Sequence, residues 1–535
     1  MSTGTGSRAL WPYAMLLCAL LGALGLDRGL WTPDEPREAE ISREMALAPT
    51  VIPTLNGHPF IEKPPLYYWV VAGVFRGLGH PSANAARAVS ALAGLLTVLC
   101  VYLWAARAGQ RRAGILAALL LATSVQFLMS THWVLIDPLL MLFTTLAAWA
   151  GWESLAGTGV PRRWTALLYA ALAAALWTKG LIGVVLMFAG LAAYVVVCRA
   201  DWRRLHPIAG CAFLALMVVV LGGAIWLEGG REALWEWAWV NHVQRLVRPG
   251  ATGHRQPLFY YAWTLPYAVL PWVVPLLEGL RPSAWRSAAP GAALQRYGAL
   301  LAAAMLLLLS AAATKRETYL LPLLPPLFLW LGLRVAAWYE AWLAPTTTRL
   351  GWRWWTQFTL VALYALVPAA AALVYTRRPD PLALVLIGFG LAMIVVAFAT
   401  AVGGRRQAAG RAALGCAWVG AAALLLLAPR VIDQTKNMAP FLRWVDHQLP
   451  RGEPVYALNA DETLAGIVPF ETGRMLVALD STYAAGDGAP PGWLLMQEVS
   501  KGARAAVPAG YVLERRASFG KDRALALWRR VPGPG

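Results

Sequence analysis

Residues 31–69 read WTPDEPREAEISREMALAPTVIPTLNGHPFIEKPPLYYW. Asp34, Glu35, Arg37, Glu38, Glu40, Arg43, Glu44, Glu62 and Lys63 all fall in this one stretch. Long apolar sequence surrounds it, and a plain connector between membrane helices needs none of these charges. The chain of 535 residues is 59% hydrophobic and 14% charged, whereas soluble domains carry about 25% charged and 45–50% apolar residues. That balance points away from a soluble enzyme. Apolar runs of about 20 residues, enough to cross the hydrocarbon core as a helix, recur from Leu10 to near Ile432. We read a polytopic α-helical membrane protein of about 13 transmembrane helices. The span cores lie near 9–26, 83–106, 113–133, 135–153, 164–178, 181–198, 207–227, 258–279, 296–313, 319–338, 354–375, 382–402 and 412–432.

The formal net charge of +18 raises nucleic acid as a partner, but the placement of the charge argues against it. Basic pairs mark alternate short loops: Arg111–Arg112, Arg162–Arg163, Arg203–Arg204, Arg281 with Arg286, and Arg405–Arg406. This is the positive-inside pattern, with those loops cytoplasmic. It puts the N-terminus inside and the acidic first loop outside, facing away from the cytoplasm. Arg377–Arg378 falls on the other side of that scheme. The first apolar run lacks a small-residue cleavage site and reads as a retained span. All five cysteines lie in predicted spans, so neither a disulfide framework nor a cysteine zinc site is expected.

Two parts follow: a membrane part over 1–433, with its first outer loop at 27–69, and a tail over 434–535. In the tail, PVYAL and RMLVALD read as strands, APFLRWVDHQL and DETLAGIVPFET as helices, and YVLERRASFG with ALALWRR as a closing hairpin. That suits a small α/β domain outside the cytoplasm. No phosphate-binding glycine loop is expected to serve a nucleotide, so an enzyme here needs a donor that arrives activated without one.

In the loop, Pro36 suits the first turn of a helix. Arg37, Glu40, Arg43 and Glu44 share a polar flank, while Ile41 and Met45 anchor the other face. Arg43 and Glu44 read as the solvated side. Asp34, just past the first span, reads either as a helix cap or as a general base that lifts a proton from an acceptor hydroxyl. Pro64 and Pro65 fix Glu62 and Lys63 in an extended turn. Lys63 is a compact charge suited to a lipid phosphate; alone, it would read as a snorkelling lysine. Asp137, followed by Pro138, is either an N-cap or a functional intramembrane carboxylate. Lys179 and the Lys315–Arg316 pair end helices on the outer side, where topology does not call for them. NHVQRLVRPGATGHRQPLFYYAW adds His242, Arg245, Arg248, His254 and Arg255 to that side. Glu62 with His254 is a candidate pair for a divalent metal, read equally well as an interfacial histidine without one.

The stretch from Asp34 to Trp69 resembles the first periplasmic loop of the bacterial lipid-linked-sugar glycosyltransferases of the GT-C class, the family of the lipid A aminoarabinose transferases. The matching elements are Asp34–Glu35, Arg37, Ala39–Glu40–Ile41, Arg43–Glu44–Met45, Pro53, Leu55–Asn56–Gly57, Glu62–Lys63–Pro64–Pro65 and Tyr68–Trp69. Looser likeness extends to LIDPLL, TKG, HRQPLFYY and the Lys-Arg–Tyr–Leu-Pro element near residue 320. The resemblance implies a GT-C fold and a catalytic Asp34 supported by Asp137 and Glu62. It implies a lipid-phosphate contact at Lys63 and substrate contacts at Arg37, Lys179, Arg245, His254 and Tyr319. It implies an undecaprenyl-phosphate-linked sugar as donor, and lipid A or another envelope glycan as acceptor. Glu38 departs from the family pattern, which has Tyr there, and so bears on the choice of sugar or acceptor. Transfer to protein hydroxyls and lipid-sugar flipping are the competing readings. Charges gathered on one side, with no related halves, favour an interfacial enzyme over a transporter.

Overall fold

A computed structural model describes residues 4–157, 162–244, 256–281, 291–343, 351–376, 380–479, 492–499, 510–520 and 523–531. Among the described residues, 8 helices are long and apolar enough to cross a membrane. They become 9 if Arg111–Ala122 and Val125–Thr131, bent by 65°, count as one span. Shorter apolar helices run over Trp11–Ala23, Leu66–Leu78 and Ile182–Cys198. The stretch 258–279, read as one span, is two short helices, Tyr260–Ala268 and Val273–Gly279. Pro271 lies in the break; it has no N–H to give a helix, and its ring crowds the preceding turn. Leu66–Leu78 was not anticipated, because 13 residues are too few to register as a crossing.

Chain contacts form two compact units. The first comprises Met1–Gly25, Glu62–Leu66 and Ala88–Ala428; the second comprises Leu26–Ile61, Tyr67–Arg87 and Pro429–Gly535. In the first unit, helices meet through small residues. A Cβ on Gly332 would lie 2.6 Å from the Ala113 carbonyl oxygen and 2.6 Å from the Ala117 Cβ, so Leu324–Leu343 can touch Arg111–Ala122 backbone to backbone. Tyr297 sits among Trp104, Trp152 and Tyr194 and donates its hydroxyl to the Ala148 carbonyl at 2.8 Å. That bond satisfies a polar tip in an otherwise apolar interior.

The second unit joins the charged loop to the tail. The loop holds a helix, Asp34–Leu47, and a small hairpin of β1 (Thr54–Leu55) and β2 (His58–Pro59). Asn56 and Gly57 turn it at φ 53° and 76°, the two positive φ values that a tight hairpin turn needs and that Asn-Gly tolerates. The tail forms a 5-stranded sheet in the order β4-β3-β5-β7-β6. Its strands are β3 (Val455–Leu458), β4 (Leu476–Leu479), β5 (Trp493–Val499), β6 (Tyr511–Phe519) and β7 (Arg523–Arg530). β3 runs parallel to β4 and β5, while β7 is antiparallel to β5 and β6. Helix Glu462–Thr472 connects β3 to β4, as parallel neighbours require. Asn56 then borrows an edge of this sheet. Its side-chain amide donates to the Leu476 carbonyl at 2.7 Å, and its oxygen accepts from the Leu476 N–H at 2.9 Å.

Candidate active site

The loop helix is buried over most of its circumference: Asp34, Glu35, Pro36, Glu38, Ala39, Glu40, Ile41, Ser42 and Met45 are all buried. Of the expected solvated flank, Arg43 and Glu44 are half-buried, while Glu40 is fully buried. Glu40 instead forms a bidentate pair with Arg43, 2.7 Å at both contacts, and Glu44 accepts the Gly57 N–H of the hairpin at 3.0 Å. Asp34 opens the helix, with Pro33 in the capping position and no side-chain cap bond there.

Asp34 is 4% exposed and pairs with Arg37 Nη2 at 3.0 Å. The same nitrogen donates to Glu38 at 2.8 Å, and Arg37 Nη1 donates to Glu462 of the tail at 2.9 Å. Burial alone would pull the Arg37 guanidinium down, but Glu38 and Asp34 outweigh it and hold its pKa above the ordinary value. Arg37 is thus a permanent cation spread over three carboxylates. Glu38, in the position that departs from the resembled family, is 2% exposed and also accepts the Tyr68 hydroxyl at 2.6 Å. Sequence reasoning tied Glu38 to substrate choice; its burial gives it a share in stability. Glu38→Tyr is expected to destabilise by about 1–3 kcal/mol, because it removes a buried charged partner from Arg37 and crowds Tyr68. Thermal unfolding in detergent reads this, and an unchanged midpoint would exclude Glu38 from the network.

Sequence reading missed the residues beneath this cluster. Glu35 is fully buried between two arginines. Arg28 Nη1 lies at 2.5 Å and Arg87 Nε at 2.9 Å, and the Trp31 N–H adds a bond at 2.9 Å. Arg87 also ties down the turn after the first helix, donating to the carbonyls of Leu26, Arg28 and Gly29 at 2.8, 2.8 and 2.7 Å. One signal was available: an arginine inside the apolar run AARAVSALAGLL is costly and needs a partner.

The other site residues belong to the first unit. Asp137 begins helix Asp137–Ala156 without capping it. It pairs with Lys179 at 2.5 Å, whose ammonium lies 4.9 Å from the centre of the Tyr319 ring. Three residues named separately from sequence thus stand together. Glu62 and Lys63 approach each other at 3.7 Å. Lys315 is 3% exposed and donates to the Gln256 and Ala312 carbonyls at 3.3 and 2.5 Å. Arg245 and His254 lie outside the described residues, and with them the proposed Glu62–His254 metal pair. Among the described residues, no three His, Cys, Asp or Glu side chains gather as a metal site would require.

Residues 26–235 match the family described as dolichyl-phosphate-mannose-protein mannosyltransferase. The undecaprenyl phosphate-alpha-4-amino-4-deoxy-L-arabinose arabinosyl transferase of Pectobacterium carotovorum is 30% identical over 488 residues, 87% of this chain and 84% of that protein. The similarly named transferase 2 of Sodalis glossinidius is 31% identical over 290 residues, 52% of each chain. The matched region thus spans about half the length of that relative. ArnT from Cupriavidus metallidurans, solved bound to undecaprenyl phosphate, superposes with a TM-score of 0.74 over 98% of both chains at 21% identity. At that identity the likeness speaks for the fold.

Proposed function

Because this chain belongs to the family of undecaprenyl phosphate-alpha-4-amino-4-deoxy-L-arabinose arabinosyl transferases, we propose that it transfers this aminosugar from undecaprenyl phosphate to lipid A or a related envelope glycan. The observation that supports the chemistry is the buried Asp34 carboxylate, held by Arg37 at 3.0 Å at the start of the loop helix. Asp34 takes the proton of the acceptor O–H as that oxygen bonds to the anomeric carbon. The bond from that carbon to the phosphate oxygen breaks, its electron pair leaves with undecaprenyl phosphate, and a single displacement inverts the centre. Arg37 holds the Asp34 carboxylate turned to one side. Lys63 takes the departing phosphate, with Lys179, Tyr319, Arg245 and His254 as further contacts and Asp137 orienting Lys179. A divalent cation held by Glu62 and His254 would add charge against the same phosphate. No nucleotide is needed, since the donor phosphodiester arrives activated in the membrane.

In this reading the chain has about thirteen spans in the bacterial inner membrane, with the first loop and the α/β tail on the periplasmic side. The positive-inside charge pattern supports that orientation. Purified protein in proteoliposomes, given the lipid-linked aminosugar and lipid A, should add one sugar mass to the acceptor. Transfer from a different lipid-linked sugar, with none from this one, would overturn the choice of donor.

Lys63 gives a sharper test. Lys63→Ala should weaken binding of undecaprenyl phosphate about tenfold or more, the loss expected for a charge-assisted contact. Lys63→Arg should recover only part, because a planar fork does not reproduce a compact ammonium set by the Pro64–Pro65 turn. A snorkelling lysine behaves oppositely: Arg substitutes well and lipid affinity does not change. Wild-type affinity in the purified Ala variant would remove Lys63 from the phosphate site.

A further inference from the structure

We propose that the tail helix Glu462–Thr472 positions the catalytic turn of the loop helix, acting through Gly466 and Glu462; this rests on the reading of Asp34 as the base. A glycine in mid-helix weakens the helix relative to alanine, so its presence at 466 calls for a reason in the packing. The reason is an approach too close for any side chain. A Cβ on Gly466 would lie 2.6 Å from the Pro36 carbonyl carbon, 2.6 Å from its oxygen and 2.7 Å from the Arg37 nitrogen. The tail helix therefore rests directly on the Pro36–Arg37 peptide bond, which leads into the third residue after Asp34.

Glu462, four residues before Gly466, lies on the same face of the tail helix. It accepts Arg37 Nη1 at 2.9 Å, while Nη2 is divided between Asp34 at 3.0 Å and Glu38 at 2.8 Å. The Glu462 side chain is 58% exposed, so its attraction contributes little to stability. Its effect is to fix the rotation of the guanidinium that Asp34 leans on. The start of the tail helix is itself anchored. Asp461 accepts the Thr463 and Leu464 N–H groups at 3.0 and 3.1 Å, and Arg523 of β7 grips its carboxylate at 2.6 Å. A continuous series of contacts runs from the sheet through Asp461 and the tail helix to Arg37 and Asp34. Displacing a reacting group by about 1 Å costs on the order of a hundredfold in rate, so a backstop at this point governs turnover without touching substrate.

The test uses the full-length protein in proteoliposomes and measures kcat, donor KM and melting temperature for Gly466→Ala, Glu462→Gln and Asp34→Asn. Gly466→Ala is expected to lower the melting temperature, because its Cβ meets backbone, and also to lower kcat per folded molecule about tenfold or more, with donor KM close to wild type. Glu462→Gln should lower kcat several-fold at an unchanged melting temperature. A merely structural contact would lower the melting temperature alone and leave kcat per folded molecule intact, which overturns the proposal. If Gly466→Ala does not fold, Glu462→Gln decides alone, and wild-type kcat there is fatal. Full activity in both tail-helix variants beside an inactive Asp34→Asn would overturn this inference and leave the base assigned. Activity in Asp34→Asn would overturn the base and this inference with it.

Discussion

Asp34→Asn should lower turnover by about two orders of magnitude or more, the usual cost of removing a general base, while the protein still folds and still binds donor. Asparagine keeps the shape of the side chain and an oxygen that can accept from Arg37 Nη2, now 3.0 Å from the Asp34 carboxylate. What it cannot do is take up a proton. Folding survives because Arg37 retains Glu38 and Glu462 as counter-charges at 2.8 and 2.9 Å, so no buried cation is stranded. Donor binding survives because, in the proposed mechanism, the phosphate is held by other residues. The measurements are single-turnover transfer and undecaprenyl phosphate binding on the same preparation. Turnover within a fewfold of wild type would strip Asp34 of the catalytic role; lost binding would place it at the donor instead.

Much of this site was readable because its spacing is local. Asp34 and Arg37 stand three residues apart at a helix start, a separation that brings side chains together. Asn56–Gly57 entered only as part of the family pattern, although its residue types also carry the signal of the turn it makes. The tail elements followed from alternation and from breaks at Gly and Pro, except β5, whose apolar run WLLM lacks the alternation that marked the other strands. Missing from the sequence were partners set by tertiary folding. Glu35 meets Arg87 across 52 positions, and Arg37 meets Glu462 across 425. No periodicity links such residues; only a buried charge in need of a partner hints at them. The same limit hid the burial of Glu40, on the polar flank with Arg43 and Glu44. An amphipathic pattern shows that one face of a helix is polar, but not whether that face meets water or a second layer of protein.

Glu35→Gln should be the most destabilising single substitution in the loop. Glu35 is fully buried and is the carboxylate shared by Arg28, at 2.5 and 3.0 Å, and Arg87, at 2.9 and 3.3 Å. Glutamine fills the same volume, so no cavity forms, but two buried guanidinium groups lose the charge between them. Arg28 then keeps its stacking on the Trp31 ring, 3.6 Å away, and the influence of Asp433. Arg87 keeps neutral acceptors, among them the carbonyls of Leu26, Arg28 and Gly29 and the side-chain oxygen of Asn84. Breaking one side of a buried ion pair costs about 3–5 kcal/mol, which should appear in detergent as a fall of several degrees or more in melting temperature. The pH dependence supplies a second signature. Burial would raise the Glu35 carboxyl, but Arg87 and Arg28 overcome it, and its pKa lies below the ordinary value. The unfolded chain therefore binds this proton more readily, so the stabilisation is fully present above the unfolded value of about 4.3 and drains away as pH falls through the folded one. The gap between wild type and Glu35→Gln should accordingly be wide at neutral pH and narrow in acid. A variant that melts with wild type at pH 7 would show that the two arginines do not depend on this carboxylate. The turn carrying Asp34 would then need another anchor.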